Sequence, residues 1–267
     1  MSAIAPSRRP LIVLDGVGKV YPNGHEALRG ISLTIPSTPQ FVSLLGASGC
    51  GKSTLLRMIA GLDRPSCGLI DWPTSAYDVA GDPKPSVGFV FQEPTLMPWA
   101  SVFENVYLPF RIAGQSRKAV RETILEALAM VHLQDFADHY PRELSGGMRM
   151  RVSIARALAT RPQVLLMDEP FAALDEITRL KLNDDLLTLW QAAKTTVVFV
   201  THSVFESVYL SSRIVTMAAR PGRIVSDVAI DAPYPRGEAY RTSAAYNEQC
   251  RIVSAGLKQA TAGEAHL

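Results

Sequence analysis

Hydrophobic residues along this chain follow two rhythms. Short, unbroken apolar runs occur at residues 41–45, 87–91, 164–167, 197–200 and 214–217, built mostly from Val, Ile, Leu and Phe. Runs of this length without polar alternation belong to strands covered on both faces, as in a mostly parallel α/β core. Between the 87–91 and 164–167 runs the rhythm changes. Val120, Ile124, Leu128 and Val131 recur at three- and four-residue spacing, which predicts an amphipathic helix over 117–131 within an inserted helical subdomain. Residues 11–14 and 31–35 flank the turn signal Pro22-Asn23-Gly24 and predict an opening antiparallel β segment. Near the other end, Pro221-Gly222 marks a hairpin turn leading into residues 223–230, and a Pro-marked linker, 231–235, precedes the tail. The tail is predicted as one helix whose Tyr246, Cys250, Val253 and Leu257 share a face that packs on the chain's own body.

Composition removes several functional classes. The formal net charge of the 267-residue chain is only +2, with acidic and basic residues interleaved, so it carries no electrostatic footprint for nucleic acid. Its apolar runs fall far short of the roughly 20 residues that cross a bilayer as a helix. The first ten residues are not followed by an apolar segment of signal-peptide length, because Asp15 and Lys19 interrupt it. The three cysteines, Cys50, Cys67 and Cys250, are too few and too scattered for a disulfide framework, and the expected compartment is reducing and cytosolic.

Chemistry enters where the 41–45 run ends. Gly46-Ala47-Ser48-Gly49-Cys50-Gly51-Lys52-Ser53 matches G-x-x-x-x-G-K-[ST]. It lies between an apolar strand and a predicted helix over 53–60 in which Leu55, Leu56, Met58 and Ile59 are apolar. Glycines let the backbone turn so that successive N–H groups face a phosphate, and the helix dipole adds to the field. Lys52 is placed to reach the β- and γ-phosphates and Ser53 to ligate magnesium, so ATP or GTP with Mg2+ is the implied ligand. The run 164–167 leads into Asp168 and Glu169, two carboxylates at the C-terminal end of a strand, where open α/β sheets bind ligands. Asp168 is expected to hold magnesium through water and Glu169 to orient and deprotonate the attacking water.

Those two motifs fit many phosphate-loop enzymes. The sequence Leu144-Ser145-Gly146-Gly147-Met148, just before a helical run, closely resembles the signature motif of ABC ATPases. The resemblance extends in family order to Gln92 after the 87–91 strand, to Asp175 in Ala172-Ala173-Leu174-Asp175, and to His202 in Val200-Thr201-His202. It covers nearly everything from Leu11 to Ile230. Met148 departs from the usual Gln, as does Met150 two residues later; neither position donates the essential phosphate contacts.

The resemblance implies a RecA-like phosphate-loop core with an antiparallel β segment and an inserted helical subdomain at about 93–158, together forming an ATPase domain over 1–230, with 231–267 as a helical tail. It implies that Tyr21 stacks on adenine and that Gly46, Ala47, Ser48, Gly49, Cys50, Gly51, Lys52, Ser53 and Thr54 cradle the phosphates. Gln92 contacts the metal and the attacking water, and His202 contacts the γ-phosphate. In a head-to-tail homodimer, Ser145, Gly146 and Gly147 of one subunit close over the ATP of the other. Met148 with Arg149, and the stretch from Gln92 through Trp99 with Val102, Asn105 and Val106, resemble the nitrate, sulfonate and taurine importer branch. That branch pairs two ATPase chains with two transmembrane permease subunits and an extracytoplasmic solute-binding protein; related members carry vitamin precursors. The implied place is the cytoplasmic face of the inner membrane, with residues 93–105 in the groove that receives the permease. An exporter ATPase and a soluble ABC ATPase outside transport are the alternatives. No additional β-rich regulatory domain is expected.

Overall fold

A computed structural model describes residues 9–77 and 83–262. Most of the first ten residues and the end of the predicted tail, 263–267, lie outside the described residues. In chain order the strands are β1 (Ile12–Val20), β2 (Glu26–Ile35), β3 (Phe41–Leu45), β4 (Cys67–Asp71), β5 (Ala76–Tyr77), β6 (Pro83–Lys84), β7 (Val87–Val90), β8 (Val164–Asp168), β9 (Thr196–Thr201), β10 (Arg213–Ala218) and β11 (Arg223–Ala229). The α-helices are α1 (Lys52–Ile59), α2 (Val102–Ile112), α3 (Arg117–Met130), α4 (Gly146–Leu158), α5 (Glu176–Ala193), α6 (Val204–Leu210), α7 (Glu238–Arg241) and α8 (Ala244–Ala262). Two compact units divide the chain. The first comprises Met1–Ser86, Val200–Ala232 and Thr242–Leu267; the second comprises Val87–Phe199 and Pro233–Arg241.

In the first unit, β1 lies between β2 and β4 and pairs with both in antiparallel fashion. The β1–β2 hairpin closes over the Pro22-Asn23-Gly24 turn, where the Tyr21 amide donates to His25 O at 2.9 Å. Both strands run well past the predicted segments, because alternating burial carries the pattern through polar positions. β3 is buried along its whole length and pairs in parallel with β10, which pairs antiparallel with β11. The predicted late hairpin is therefore β10–β11, turning through Pro221-Gly222. Helix α8 packs on α6, β10 and β11, with Tyr246, Cys250 and Val253 buried and the Tyr246 hydroxyl donating to Phe205 O at 3.0 Å. The tail does pack on the chain's own body. It is two helices instead of the one predicted: Ser243 accepts the Tyr246 amide at 3.1 Å, an N-cap that starts α8 afresh after α7.

In the second unit, β7 and β8 are parallel, in register from Val87 opposite Val164 to Val90 opposite Met167, and β9 flanks β8 on its other side. β8 and β9 are buried throughout. The last two residues of β9, Val200 and Thr201, fall in the first unit. Helices α2, α3 and α4 pack on one another. α3 buries Val120, Ile124 and Leu128, as its periodicity predicts. α4 also lies close on β7, which requires Gly88: a Cβ there would sit 2.9 Å from Ala157 O.

Ile124 is fully buried at the centre of the α3 face. Ile124→Ala is expected to lower unfolding free energy by about 2–5 kcal/mol through lost burial and an unfilled cavity, measured by urea denaturation; a change below about 0.5 kcal/mol would contradict this core assignment.

Candidate functional site

The first unit carries the phosphate loop. β3 ends at Leu45, and Gly46-Ala47-Ser48-Gly49-Cys50-Gly51 turns the chain into α1. Gly51 is the N-cap of α1, in the left-handed region with φ 89°. A Cβ on it would lie 2.5 Å from Leu28 Cδ2 and 3.0 Å from Ala27 O, so only glycine fits. Gly49 has φ 79° but meets nothing within 4 Å on that side, which leaves the outer rim of the turn open. Lys52, only 4% exposed, lies under the loop and its Nζ donates to Gly46 O at 2.8 Å and Ala47 O at 2.9 Å. The cation is thus held at the centre of the turn. Cys50 is buried beside it, and desolvation pushes its thiol above the usual range, so this cysteine is packed, protonated and poorly nucleophilic.

Two more predicted residues belong to this unit. Tyr21 begins the β1–β2 turn, and its hydroxyl lies 3.2 Å from Thr54 Oγ1 on α1, which ties the ring to the helix that starts at the phosphate loop. Its ring runs almost parallel to that of His25, at 6.4 Å between centroids, and Lys19 Nζ lies 5.3 Å from its centroid. His202 follows the last residue of β9 and is exposed, whereas Thr201 before it is 2% exposed.

The second unit holds the carboxylates and the signature segment. Asp168, 8% exposed, closes β8. Glu169 follows with φ 45° and Pro170 after it, a combination rare for a residue with a Cβ. The strand end therefore turns sharply and presents adjacent side chains differently. Ser145 is the N-cap of α4, its Oγ accepting the Met148 amide at 3.2 Å. Gly147 is buried where a Cβ would stand 3.0 Å from Thr178 Cγ2. Asp175 caps the same stretch of α5 by accepting the Thr178 amide at 2.9 Å; that bond holds its carboxyl below the usual range. Thr178 thus touches both motifs, so the fold brings Asp175 and the Ser145-Gly146-Gly147 segment together.

Gln92 is exposed after β7, at the head of a loop whose support the sequence did not reveal. Arg156 of α4 donates to Pro94 O and Thr95 O, both at 3.0 Å. The fully buried Asn105 accepts the Met97 amide at 2.7 Å and donates to Met97 O, Ala100 O and Ser101 O between 3.0 and 3.2 Å. This loop is held like a built element, yet it leaves Trp99 77% exposed. Gly222 is a second residue whose role was hidden. It was legible as a turn residue, but a Cβ on it would lie 2.3 Å from Cys50 O, so it also backs the phosphate loop.

The donor sets suit the ligands implied by the motifs. An open-rimmed glycine turn with a buried ammonium beneath fits a polyphosphate, and the Ser53 hydroxyl and Asp168 carboxylate are hard oxygen donors of the kind magnesium takes. Comparison with known proteins agrees. The family model described as ABC transporter matches residues 28–172. The aliphatic sulfonates import ATP-binding protein SsuB of Bacillus cereus is 43% identical over 242 residues, covering 89% of this chain and 92% of its own. The taurine import ATP-binding protein TauB of Rhizobium johnstonii is 46% identical over 205 residues, 77% of each chain. The nitrate import ATP-binding protein NrtD of Synechocystis is 43% identical over 219 residues, 80% of this chain and 81% of its own. Among solved structures, a dimeric ATP-binding cassette in a post-hydrolysis state with ADP and Pi superposes with a TM-score of 0.69 at 34% identity, over 83% of this chain and all of that one. With its phosphate loop, paired strand-end carboxylates and Ser-Gly-Gly helix start in family order, the chain belongs to the ABC transporter family as an ATP-binding, ATP-hydrolysing subunit.

Proposed function

We propose that this chain energises import of a small anionic or nitrogen- or sulfur-containing solute, or of a vitamin precursor, working as a homodimer against two permease subunits at the cytoplasmic face of the inner membrane. The observation that carries the ATPase half of this reading is the glycine turn closed on buried Lys52. The importer half rests on similarity to the sulfonate, taurine and nitrate import subunits. No helix among the described residues is long and apolar enough to cross a membrane, so contact with the bilayer would come through partner subunits. The loop around Trp99, fixed by Arg156 and Asn105, offers a firm exposed surface for such a partner. An extracytoplasmic solute-binding protein then acts indirectly, through the permease.

In this reading Tyr21 stacks on adenine, the amides from Gly46 to Thr54 face the phosphates, and Lys52 turns its charge toward the β- and γ-phosphates. Ser53, Asp168 and Gln92 are the magnesium-side residues; the bound ion supplies neutralisation of charge on the phosphate oxygens. Glu169 takes the proton of the attacking water at its carboxylate. His202 contacts the γ-phosphate from the end of β9. Ser145, Gly146 and Gly147, with the neighbouring Asp175, serve the nucleotide of the partner subunit. The domain reading remains an ATPase domain over 1–230, containing a helical subdomain at about 93–158, with a tail over 231–267.

Two experiments test this reading. Glu169→Gln removes the base and leaves the cradle, so MgATP but not MgADP is expected to convert that variant from monomer to dimer in light scattering. A variant that binds ATP and stays monomeric would contradict the shared site. Gly51→Ala places a Cβ at φ 89° against Leu28 and Ala27. ATP affinity is expected to fall at least about tenfold, equivalent to about 1.4 kcal/mol, by titration with a fluorescent ATP analogue; wild-type affinity would displace the loop from the nucleotide.

A further inference from the structure

The turn that carries His202 has an unusual hydrogen-bond pattern. Ser203-Val204-Phe205-Glu206 spells the S-x-x-E of a capping box at the start of α6. In that motif the serine side chain accepts the amide of the glutamate, and the glutamate side chain accepts the amide of the serine. Half of this is present: the Glu206 amide donates to Ser203 Oγ at 3.2 Å. The other half is rerouted. The Ser203 amide donates to Thr201 Oγ1 at 3.0 Å, and the Thr201 hydroxyl donates onward to Glu206 Oε2 at 2.6 Å. The threonine two residues before the cap has been inserted into the box as a relay.

This insertion puts His202 inside the closed ring of bonds. The residues on either side of it are tied to each other, and both are tied to Glu206. Thr201 is 2% exposed and Glu206 is 9% exposed, whereas His202 is exposed. Thr201 is β-branched, so its χ1 is restricted, and its backbone is the last position of β9. A hydroxyl donating at 2.6 Å has the length of a charge-assisted bond to a carboxylate. Burying a carboxylate is costly because it loses water, and an ordinary capping box at a seven-residue helix needs no third residue. What the relay adds is a fixed backbone direction at the one residue it encloses.

We infer that Thr201 and Glu206 are positioning residues for His202, holding its backbone so that the imidazole meets the γ-phosphate without a search. The inference rests on the proposed γ-phosphate role of His202 and goes beyond it by naming what sets its aim. Misplacement of a catalytic-site group by about 1 Å can cost on the order of a hundredfold in rate. Removal of a single tether from a turn with others remaining is expected to cost less.

The test is a mutant cycle on the full chain, reading kcat and KM for MgATP hydrolysis together with the melting temperature. Thr201→Val keeps shape and loses the relay. It is expected to lower kcat about tenfold with KM within about twofold of wild type, and Thr201→Ser should restore at least half the rate. The decisive arm is the double variant: Thr201→Val with His202→Ala should be no slower than His202→Ala alone, because positioning has nothing left to position. If Thr201→Val hydrolyses like wild type, or slows the His202→Ala enzyme by the same factor as it slows wild type, the inference is wrong and the relay is only a helix cap. If His202→Ala itself turns over at the wild-type rate, the role assigned to His202 fails and the inference with it, a distinct outcome. Should Thr201→Val fail to fold, Glu206→Gln carries the same cycle, with a smaller loss expected because an acceptor remains.

Discussion

The constraint on which the nucleotide half of this molecule depends is closeness of backbone to backbone around the phosphate loop. The loop is wedged so tightly that three of its contacts exclude a single methyl group. A Cβ on Gly46 would lie 2.6 Å from Met217 O, one on Gly51 would meet Leu28, and one on Gly222 would stand 2.3 Å from Cys50 O. Gly222 is itself pinned between strands, donating to Ala27 O at 3.0 Å and accepting the Arg29 amide at 2.9 Å. The antiparallel segment and the β10–β11 hairpin therefore do more than cover a core: they are the mould in which the loop sets. Close-packed interiors transmit strain instead of absorbing it, so the shape of this mould dictates where the amides of the loop point.

Lys52 gains its place from the same closeness. Burying an ammonium is costly unless its donors are satisfied, and here the carbonyls of Gly46 and Ala47 receive it. Those carbonyls turn toward the ammonium, so the loop's own backbone holds the lysine in place. The second unit applies the same economy at α4. Gly147 lets that helix approach α5 closely enough for Thr178 to touch it, and Thr178 is the residue whose amide fixes Asp175. One close approach orders two motifs that are far apart in sequence.

Much of this was readable from residues alone, and the division between what was and was not is physical. Short unbroken apolar runs and the face of Val120, Ile124 and Leu128 are local patterns, so β3, β8, β9, β10 and α3 were visible. The phosphate loop was visible because its chemistry demands fixed spacing. The tail was read as one helix because the shared face of Tyr246, Cys250 and Val253 dominates; the signal of a restart, Ser243 as cap, is one residue deep. Gly222 looked like a turn glycine because its second duty is to a carbonyl over 170 positions away. The support given by Arg156, and by an Asn105 legible only as a mark of the importer branch, was silent for the same reason: a side chain that satisfies loop carbonyls leaves no periodicity. Thr201 and Glu206 show an intermediate case, since S-x-x-E announces a capping box but cannot announce that a threonine has entered it.

The two helix starts to which the proposed function gives phosphate contacts differ in a way that bears on why that reading needs two chains. Neither α1 nor α4 has an acidic side chain in its first turn, whereas α2, α5, α6 and α7 carry Glu104, Glu176, Glu206 and Glu238 there; α3 and α8 also lack one, α3 opening on Arg117 and Lys118. A carboxylate at a helix start satisfies the dipole from within and repels an incoming anion. At α1, in the proposed function, a phosphate takes the place of that carboxylate, with the buried Lys52 beneath it. At α4 the cap is the neutral Ser145 hydroxyl, which accepts the Met148 amide, and the nearby cation is Arg149, whose guanidinium donates to Leu144 O. Such a start, with its guanidinium tied to its own backbone, offers an anion less than the phosphate loop does. It suits a phosphate already gripped elsewhere and delivered to it, which is what a nucleotide bound in the loop of a second copy would be.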